Sequence, residues 1–200
     1  MDKKSDKKRK FILQKAKEVF IRKGFNSVTI KDIVDECNIS RGGIYLYFNS
    51  VDEIFMEVIL THNKKKLKET KDSVITDKSF EQLIDEYFEK QKNRLLNIDK
   101  SLLMALHEYR FSHKEDCYKE FFHEQFYNTK IIILELLNYG VKQGAISENR
   151  VDDLAMSIMF FIEGLSTFAV TTGVSEYIIN SQINFMKNMV LNNKTVKGND

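Results

Sequence analysis

The chain has 200 residues, of which 42% are hydrophobic and 30% charged, a composition typical of a globular protein with a sizeable buried core. Two cysteines, Cys37 and Cys117, give no disulfide framework and fit a reducing cytoplasm. No apolar run is expected to reach the roughly 18 residues of a membrane span, and no apolar signal segment follows the charged N-terminus. We therefore expect a cytoplasmic protein rather than a membrane or secreted one.

The net charge of +2 is unevenly distributed along the chain. Residues 1–48 contain 12 Lys and Arg against 6 Asp and Glu, so this segment carries +6 and the remainder −4. A basic N-terminal quarter on an acidic body predicts that the first segment meets a polyanion. A solvated, lysine-rich segment explains the same charge, and composition alone leaves both interpretations open.

Apolar residues recur at helical spacing along almost the whole chain. The first predicted helix covers residues 8–23 and ends at Gly24. Thr29 is the expected N-cap of a short second helix, and Asn38 suits a left-handed residue in the turn that follows. Ser40 is then the expected N-cap of a third helix.

Ser50 and Glu53 form an S-x-x-E pattern that opens a long fourth helix. Strand signals are weak in the rest of the chain, and no hairpin turn interrupts it. Further helices are expected over residues 79–97, 99–112, 114–143, 151–172 and 175–191. The sequence therefore predicts an all-α fold.

Residues 30–49 combine a short helix, a turn and a second short helix, which is the pattern of a helix-turn-helix. This register leaves Arg41 and Tyr45, with the paired glycines between them, on the outer faces of the second helix. In such a unit the second helix lies in the DNA major groove, where Arg contacts guanine or phosphate and Tyr hydroxyls contact phosphates. A small core is expected from the apolar side chains of Ile33, Val34, Cys37, Ile39 and Ile44.

The segment of residues 24–55, GFNSVTIKDIVDECNISRGGIYLYFNSVDEIF, resembles the N-terminal DNA-binding segment of TetR-type transcriptional regulators. Two positions depart from the pattern of those proteins. Asn38, preceded by cysteine, replaces the glycine of a usual alanine-glycine pair, and Val51 stands where a lysine is common. If that lysine usually contacts a phosphate, another residue of this chain must supply the charge, such as Lys31 or the KKRK segment of residues 7–10. The order and spacing of seven residues carry the resemblance: Gly24, Thr29, Ile33, Gly43, Tyr45, Tyr47 and Phe48.

The resemblance implies an N-terminal three-helix helix-turn-helix domain over residues 1–52, followed by a helical domain for ligand binding and dimerisation over residues 53–200. It implies a transcriptional regulator and not an enzyme, most simply a repressor that a small hydrophobic ligand releases from a near-palindromic DNA operator. No cofactor and no membrane partner are expected. The expected DNA contacts are Thr29, Lys31, Ser40, Arg41, Gly42, Gly43, Tyr45 and Tyr47.

The last two helices are candidates for a homodimer interface. Residues 151–172 are apolar around much of their helix surface, and a helix that is apolar on several faces is buried on more than one side. Gly164, Ser166 and Ala169 would allow a neighbouring helix to approach closely. Burial within one subunit is the alternative, but the two-fold symmetry of DNA half-sites favours a shared interface.

The middle helices are rich in aromatic residues with interspersed polar groups, a composition that suits a ligand pocket. Core packing is the simpler explanation for any single one of them. His107 and Glu108 are the best polar candidates because they stand in an otherwise apolar helix. The candidate ligand contacts are Tyr87, Phe88, Met104, His107, Glu108, Phe126, Tyr127 and Phe161.

A metal- or redox-sensing regulator is the alternative function. His113 and Cys117 lie four residues apart, so one helix face would carry both, and His123 follows six residues later. At 100° per residue, His123 would lie about 120° around the helix from Cys117. No P-loop, nucleophile elbow or dinucleotide-binding motif is present in the sequence, so nothing indicates an enzyme.

Overall fold

The computed structural model describes residues 3–75 and 77–192, and every regular element in these ranges is helical. The prediction of an all-α fold is confirmed. The helices are α1 (Lys3–Lys23), α2 (Ile30–Cys37), α3 (Arg41–Tyr45), α4 (Val51–Ser73), α5 (Phe80–Leu96), α6 (Leu103–Ser112), α7 (Asp116–Lys142), α8 (Val151–Thr171) and α9 (Glu176–Leu191), with short 3-10 turns at Ile98–Lys100 and Glu148–Arg150.

The expected cap and turn of α2 are present. The Thr29 side chain accepts a hydrogen bond from the Asp32 N–H, and the Asp32 carboxylate accepts one from the Thr29 N–H (2.8 Å), which completes a capping box. Hydrogen bonds from Lys23 and Thr29 hold the pKa of the Asp32 carboxyl below its usual range. At the other end of the helix, Asn38 adopts the left-handed conformation with φ 49° and ψ 50°.

Two helix starts differ from the predicted ones by more than two residues. α1 begins at Lys3 rather than at residue 8, because lysine-rich residues favour helix although no apolar periodicity marks them. α6 begins at Leu103 rather than at residue 99, because the chain first makes a 3-10 turn. The Ser101 hydroxyl then accepts a hydrogen bond from the Leu103 N–H at 3.2 Å.

The chain divides into two compact units, and unit 1 combines residues 3–62 with residues 98–122. The core of unit 1 is aromatic. Phe55 lies at its centre, with its ring centroid 4.9 Å from that of Phe20, 5.0 Å from Phe25 and 4.7 Å from Tyr109. Edge-to-face and tilted contacts of this kind stabilise a core beyond the burial of apolar area.

Unit 1 extends beyond the predicted DNA-binding domain of residues 1–52. It includes the first part of α4 and all of α6, because Phe55 and Tyr109 on these helices are fully buried in its core. The boundary between the compact units therefore lies within α4, near residue 62, and unit 1 gains a segment from a distant part of the sequence. The functional division at residues 52 and 53 stays a prediction.

Unit 2 contains residues 63–75, 77–97 and 123–192 of the described chain. In this unit α5 packs against α8 and α9, and Ser79 and Gln82 form a capping box at its N-terminus. Gly140 on α7 makes room for Phe80, since a β-carbon at this glycine would lie 2.7 Å from the Phe80 ring.

Within the described residues one continuous helical segment, Glu148–Thr171, is long and apolar enough to cross a membrane. The expectation that no segment reaches this length is therefore wrong. The criterion is length and composition alone, which a core helix of a globular protein also meets. Leu154, Ile158 and Ile162 are buried in unit 2, so packing within the unit accounts for much of the apolar character of this segment.

Tyr109 provides a test of the unit 1 core. Its hydroxyl is buried without a hydrogen-bond partner among the described residues, and burial raises the pKa of Tyr109 above its usual value. Because an unpaired buried hydroxyl costs free energy, Tyr109→Phe should leave the free energy of unfolding unchanged or raise it by about 1 kcal/mol. Urea unfolding followed by circular dichroism measures the change.

The control for this test is Tyr109→Ala, which removes the ring and should lower the free energy of unfolding by about 3–5 kcal/mol. A loss of similar size in Tyr109→Phe would contradict the assignment of an unpaired hydroxyl.

Candidate DNA-binding site

Helix α3 is positioned by its cap and by two buried side chains. Ser40 has an extended backbone, and its Oγ accepts a hydrogen bond from the Gly43 N–H at 3.1 Å, so the predicted N-cap is confirmed. Ile44 is 0% exposed and Phe48, in the turn that follows, is 1% exposed. These two anchors determine which side of α3 faces outward.

The outward side of α3 combines hydrogen-bond donors with open space. Nη2 of Arg41 donates to the Tyr45 hydroxyl at 3.3 Å, and the guanidinium carbon lies 5.6 Å from the centroid of the Tyr45 ring. At Gly42 no neighbouring group lies within 4 Å of the position that a β-carbon would occupy. This surface offers the access and the donors that a contact in the major groove requires.

The other predicted DNA contacts belong to the same unit. Thr29 and Lys31 are exposed at the start of α2. Gly43 and Tyr47 are half-buried, and the Tyr47 ring packs against the unit 1 core, so only part of it faces solvent. The structure thus brings all eight predicted residues into unit 1, and their contacts with DNA stay predictions.

Leu46 is a candidate residue that the sequence analysis omits. A single exposed leucine carries little meaning by itself, but Leu46 is 81% exposed directly after α3, beside Tyr45. The helical register predicts this exposure. At 100° per residue, Leu46 lies about 200° from the buried Ile44 and therefore faces away from the core.

A carboxylate from α6 holds the loop between α1 and α2. Oε2 of Glu108 accepts hydrogen bonds from the N–H groups of Phe25 (2.6 Å) and Asn26 (2.9 Å). Gly24 has φ +74°, and a β-carbon there would lie 2.5 Å from the same oxygen, so both the backbone conformation and the available space require glycine. The Ser112 hydroxyl also donates to Oδ1 of Asn26 (2.9 Å). α6 thereby positions the entry to the helix-turn-helix.

His113 connects α6 to the start of α4. Its Nε2 lies 2.7 Å from Oδ1 of Asp52, and its Nδ1 lies 2.9 Å from the carbonyl oxygen of Tyr109, so both ring nitrogens are engaged. Cys117 is exposed, and His123 belongs to unit 2. Within residues 3–75 and 77–192, no group of three or more His, Cys, Asp or Glu side chains could hold a metal ion. The metal-sensing alternative gains no support from this arrangement.

Three of the predicted ligand contacts lie in unit 1. Met104, His107 and Glu108 belong to α6. His107 is 3% exposed, and Glu108 makes the loop contacts described above. Burial of His107 and the hydrogen bonds of Glu108 therefore explain both polar candidates without an effector.

The other predicted ligand contacts lie in unit 2 as two ring pairs and one separate residue. The ring centroids of Tyr87 and Phe88 are 5.3 Å apart, and those of Phe126 and Tyr127 are 5.8 Å apart. Phe88 is fully buried, Tyr127 is exposed and Phe161 is half-buried. Burial raises the pKa of Tyr87 to about 12. Contact of these residues with an effector stays a prediction.

An open cleft of about 550 Å³ lies on unit 2, but none of the predicted ligand contacts lines it. It follows α7 from Ile131 to Lys142 and is bordered by Glu148. Its charged border differs from the largely apolar pocket that the aromatic residues predict.

A capped helix-turn-helix with an outward α3 defines the class of this protein as a DNA-binding one. Residues 12–58 match the family described as bacterial regulatory proteins, tetR family. The HTH-type transcriptional regulator YfiR of Bacillus subtilis (strain 168) is 32% identical over 158 residues, which cover 78% of this chain and 76% of that protein.

Two solved structures share the fold. A TetR transcription regulator from Haloarcula marismortui ATCC 43049 is 16% identical, with a TM-score of 0.75 over 94% of this chain and 98% of that chain. The transcriptional regulator FadR from Bacillus subtilis, in complex with stearoyl-CoA, is 14% identical, with a TM-score of 0.68 over 91% and 97% of the two chains.

The chain therefore belongs to the tetR family of bacterial regulatory proteins. Proteins of this family are DNA-binding transcriptional regulators and not enzymes. They bind small-molecule effectors and act as dimers.

The contact between Glu108 and the loop can be tested by substitution. Glu108→Ala removes the acceptor of two backbone N–H groups, so the free energy of unfolding should fall by about 1–3 kcal/mol. Urea unfolding measures the loss. Glu120→Ala, at an exposed glutamate of the same unit, is the matched control and should change the free energy by less than about 0.5 kcal/mol. Equal stabilities of the two variants would contradict the role of Glu108.

Proposed function

We propose that this regulator is a homodimeric repressor that binds a near-palindromic operator and is released by a small hydrophobic effector. The outward surface of α3, capped by Ser40 and anchored by Ile44, is the observation that carries the proposal. DNA lies in the cytoplasm of a bacterium, so we propose that the protein acts there.

The exposed groups of α3 and of the two residues that follow it suit different parts of a DNA duplex. Arg41 can donate two hydrogen bonds to O6 and N7 of guanine, and the open space at Gly42 permits a close approach of the helix. The exposed side chain of Leu46 suits the methyl group of thymine. Tyr45 and Tyr47 can donate to phosphates, which sets the register of the protein on the duplex.

An exposed apolar surface on α8 and α9 supports a dimer interface at the last two helices. Phe160 and Phe168 on α8 are 63% and 62% exposed, and they flank Gly164. A β-carbon added at Gly164 would have no neighbouring atom within 4 Å. Phe185 on α9 is 65% exposed. Apolar side chains of this size, grouped on neighbouring helices, are typical of an interaction surface.

Only one of the three small residues predicted to allow close helix approach lies on the exposed side of α8. Ser166 is 1% exposed and Ala169 is 8% exposed, so the close approach that they allow is to helices within unit 2. Gly164 is exposed and keeps that role.

A hydrophobic effector fits the aromatic residues of unit 2 best. FadR, which shares the fold, has been crystallised with stearoyl-CoA, a ligand with a long acyl chain. Tyr87, Phe126 and Phe161 are half-buried in unit 2, so they combine apolar surface with partial access, whereas Phe88 is a core residue. We propose the first three as effector contacts.

The DNA-binding proposal is tested with duplexes that the purified protein selects from a random-sequence pool. The logarithm of the association constant should fall linearly with the logarithm of salt concentration, because binding releases counterions. Arg41→Ala should weaken binding to the selected duplex by roughly 5–150-fold for each half-site, the value of one bidentate contact with guanine, and the two losses multiply in a dimer. Fluorescence anisotropy measures both effects.

Arg150→Ala is the matched control for Arg41→Ala, since Arg150 is an exposed arginine of unit 2 and should leave the affinity unchanged. Binding that responds neither to salt nor to Arg41→Ala would contradict the proposal.

The dimer proposal is tested with the double variant Phe160→Glu/Phe168→Glu. Charged side chains in place of two apolar ones would be desolvated in the interface without partners, so the variant should sediment as a monomer at micromolar concentration, where the unaltered protein sediments as a dimer. Phe111→Glu, at a phenylalanine of α6 that is 60% exposed, is the control and should remain a dimer. An unaltered protein that sediments as a monomer would contradict the interface.

A further inference from the structure

The basic N-terminal segment (residues 3–10) forms the first turns of α1. It holds five lysines and Arg9, opposed by Asp6 alone. The helix places these charges before Ile12, the first core residue of α1. Lys4, Lys7 and Lys10 are exposed. Helical order places these charges at fixed spacings along one element.

Arg9 anchors this segment to the helix-turn-helix. Its guanidinium carbon lies 4.6 Å from the ring centroid of Phe48, the residue that closes the turn after α3. Both terminal nitrogens of Arg9 also donate to the Glu57 carboxylate on α4. A planar guanidinium that stacks on a ring and forms two parallel hydrogen bonds holds its helix in one position.

The contact of Arg9 also locates the lysines around it. Because an α-helix rises 1.5 Å per residue, Lys7 and Lys8 lie within one turn of Arg9 on the same helix. The contact of Arg9 with Phe48 therefore places the end of the basic N-terminal segment close to the turn after α3.

The start of α4 has no basic residue of its own. Val51 is half-buried, and Asp52 and Glu53 follow it, which suits the N-terminus of a helix but repels a phosphate. A basic residue of α1, Arg9, contacts α4 instead. Lys4, Lys7 and Lys8 are spaced three and four residues apart, so they repel one another on one helix side, and a bound polyanion would relieve that repulsion.

We propose that the basic N-terminal segment is a second DNA-binding surface, which contacts phosphates next to the base pairs that α3 reads. This inference rests on the proposed function, because it requires that α3 lies in the major groove. The contacts are with the sugar-phosphate backbone, so they add affinity and salt dependence and no preference for sequence.

The experiment compares two triple variants of the full chain that remove the same charge. Lys4→Gln/Lys7→Gln/Lys10→Gln alters the basic N-terminal segment, and Lys64→Gln/Lys65→Gln/Lys68→Gln alters three exposed lysines of α4 in unit 2. Glutamine has a helix propensity close to that of lysine, so both variants should keep their helix content. Circular dichroism checks this.

In the first variant the slope of log association constant against log salt should become less steep by up to about 5, since a dimer loses six lysines and each lost phosphate contact removes about 0.9. Its affinity at about 0.1 M salt should fall roughly tenfold or more, and equally for a selected duplex and for an unrelated duplex. The second variant should keep the slope of the unaltered protein.

Equal slopes for the two variants would overturn the inference, and so would a loss confined to the selected duplex, which would indicate contact with bases. An unaltered protein that binds neither duplex would instead overturn the proposed function.

Discussion

The burial of Ile44 and Phe48 is the constraint on which the DNA-binding surface depends. A helix of five residues is too short to be stable by itself, so α3 takes its orientation from the side chains that it places in the core. With Ile44 turned inward, Leu46 lies about 200° away and has to face outward, and Arg41 is exposed as well. One hydrophobic contact thus sets both the stability of the turn and the surface that it presents.

α6 extends this dependence to a distant part of the sequence. Tyr109 completes the aromatic core around Phe55, and Glu108 holds two N–H groups of the loop that enters α2. His113 contacts Asp52 at the start of α4. The elements on either side of the helix-turn-helix are therefore both held by one helix. A displacement of α6 would change the contacts at both ends of the motif.

The apolar residues of α8 are divided between two surfaces. On α8, Leu154, Ile158 and Ile162 are buried within unit 2, whereas Phe160 and Phe168 are exposed. The apolar length of α8 alone would suit a membrane span, a core helix or an interface. The division of its side chains favours a helix that is half core and half interface.

The sequence by itself determined the features that depend on neighbours along the chain. Helical periodicity gave the all-α class, and the caps at Thr29 and Ser40 were predictable because a side-chain oxygen reaches an N–H only three residues away. The outward side of α3 followed from the same local register. Only the tertiary structure decided the contacts of Glu108 and His113, whose partners lie 83, 82 and 61 residues away in sequence. No local pattern encodes such pairings, because they arise from the packing of α6 against the helix-turn-helix.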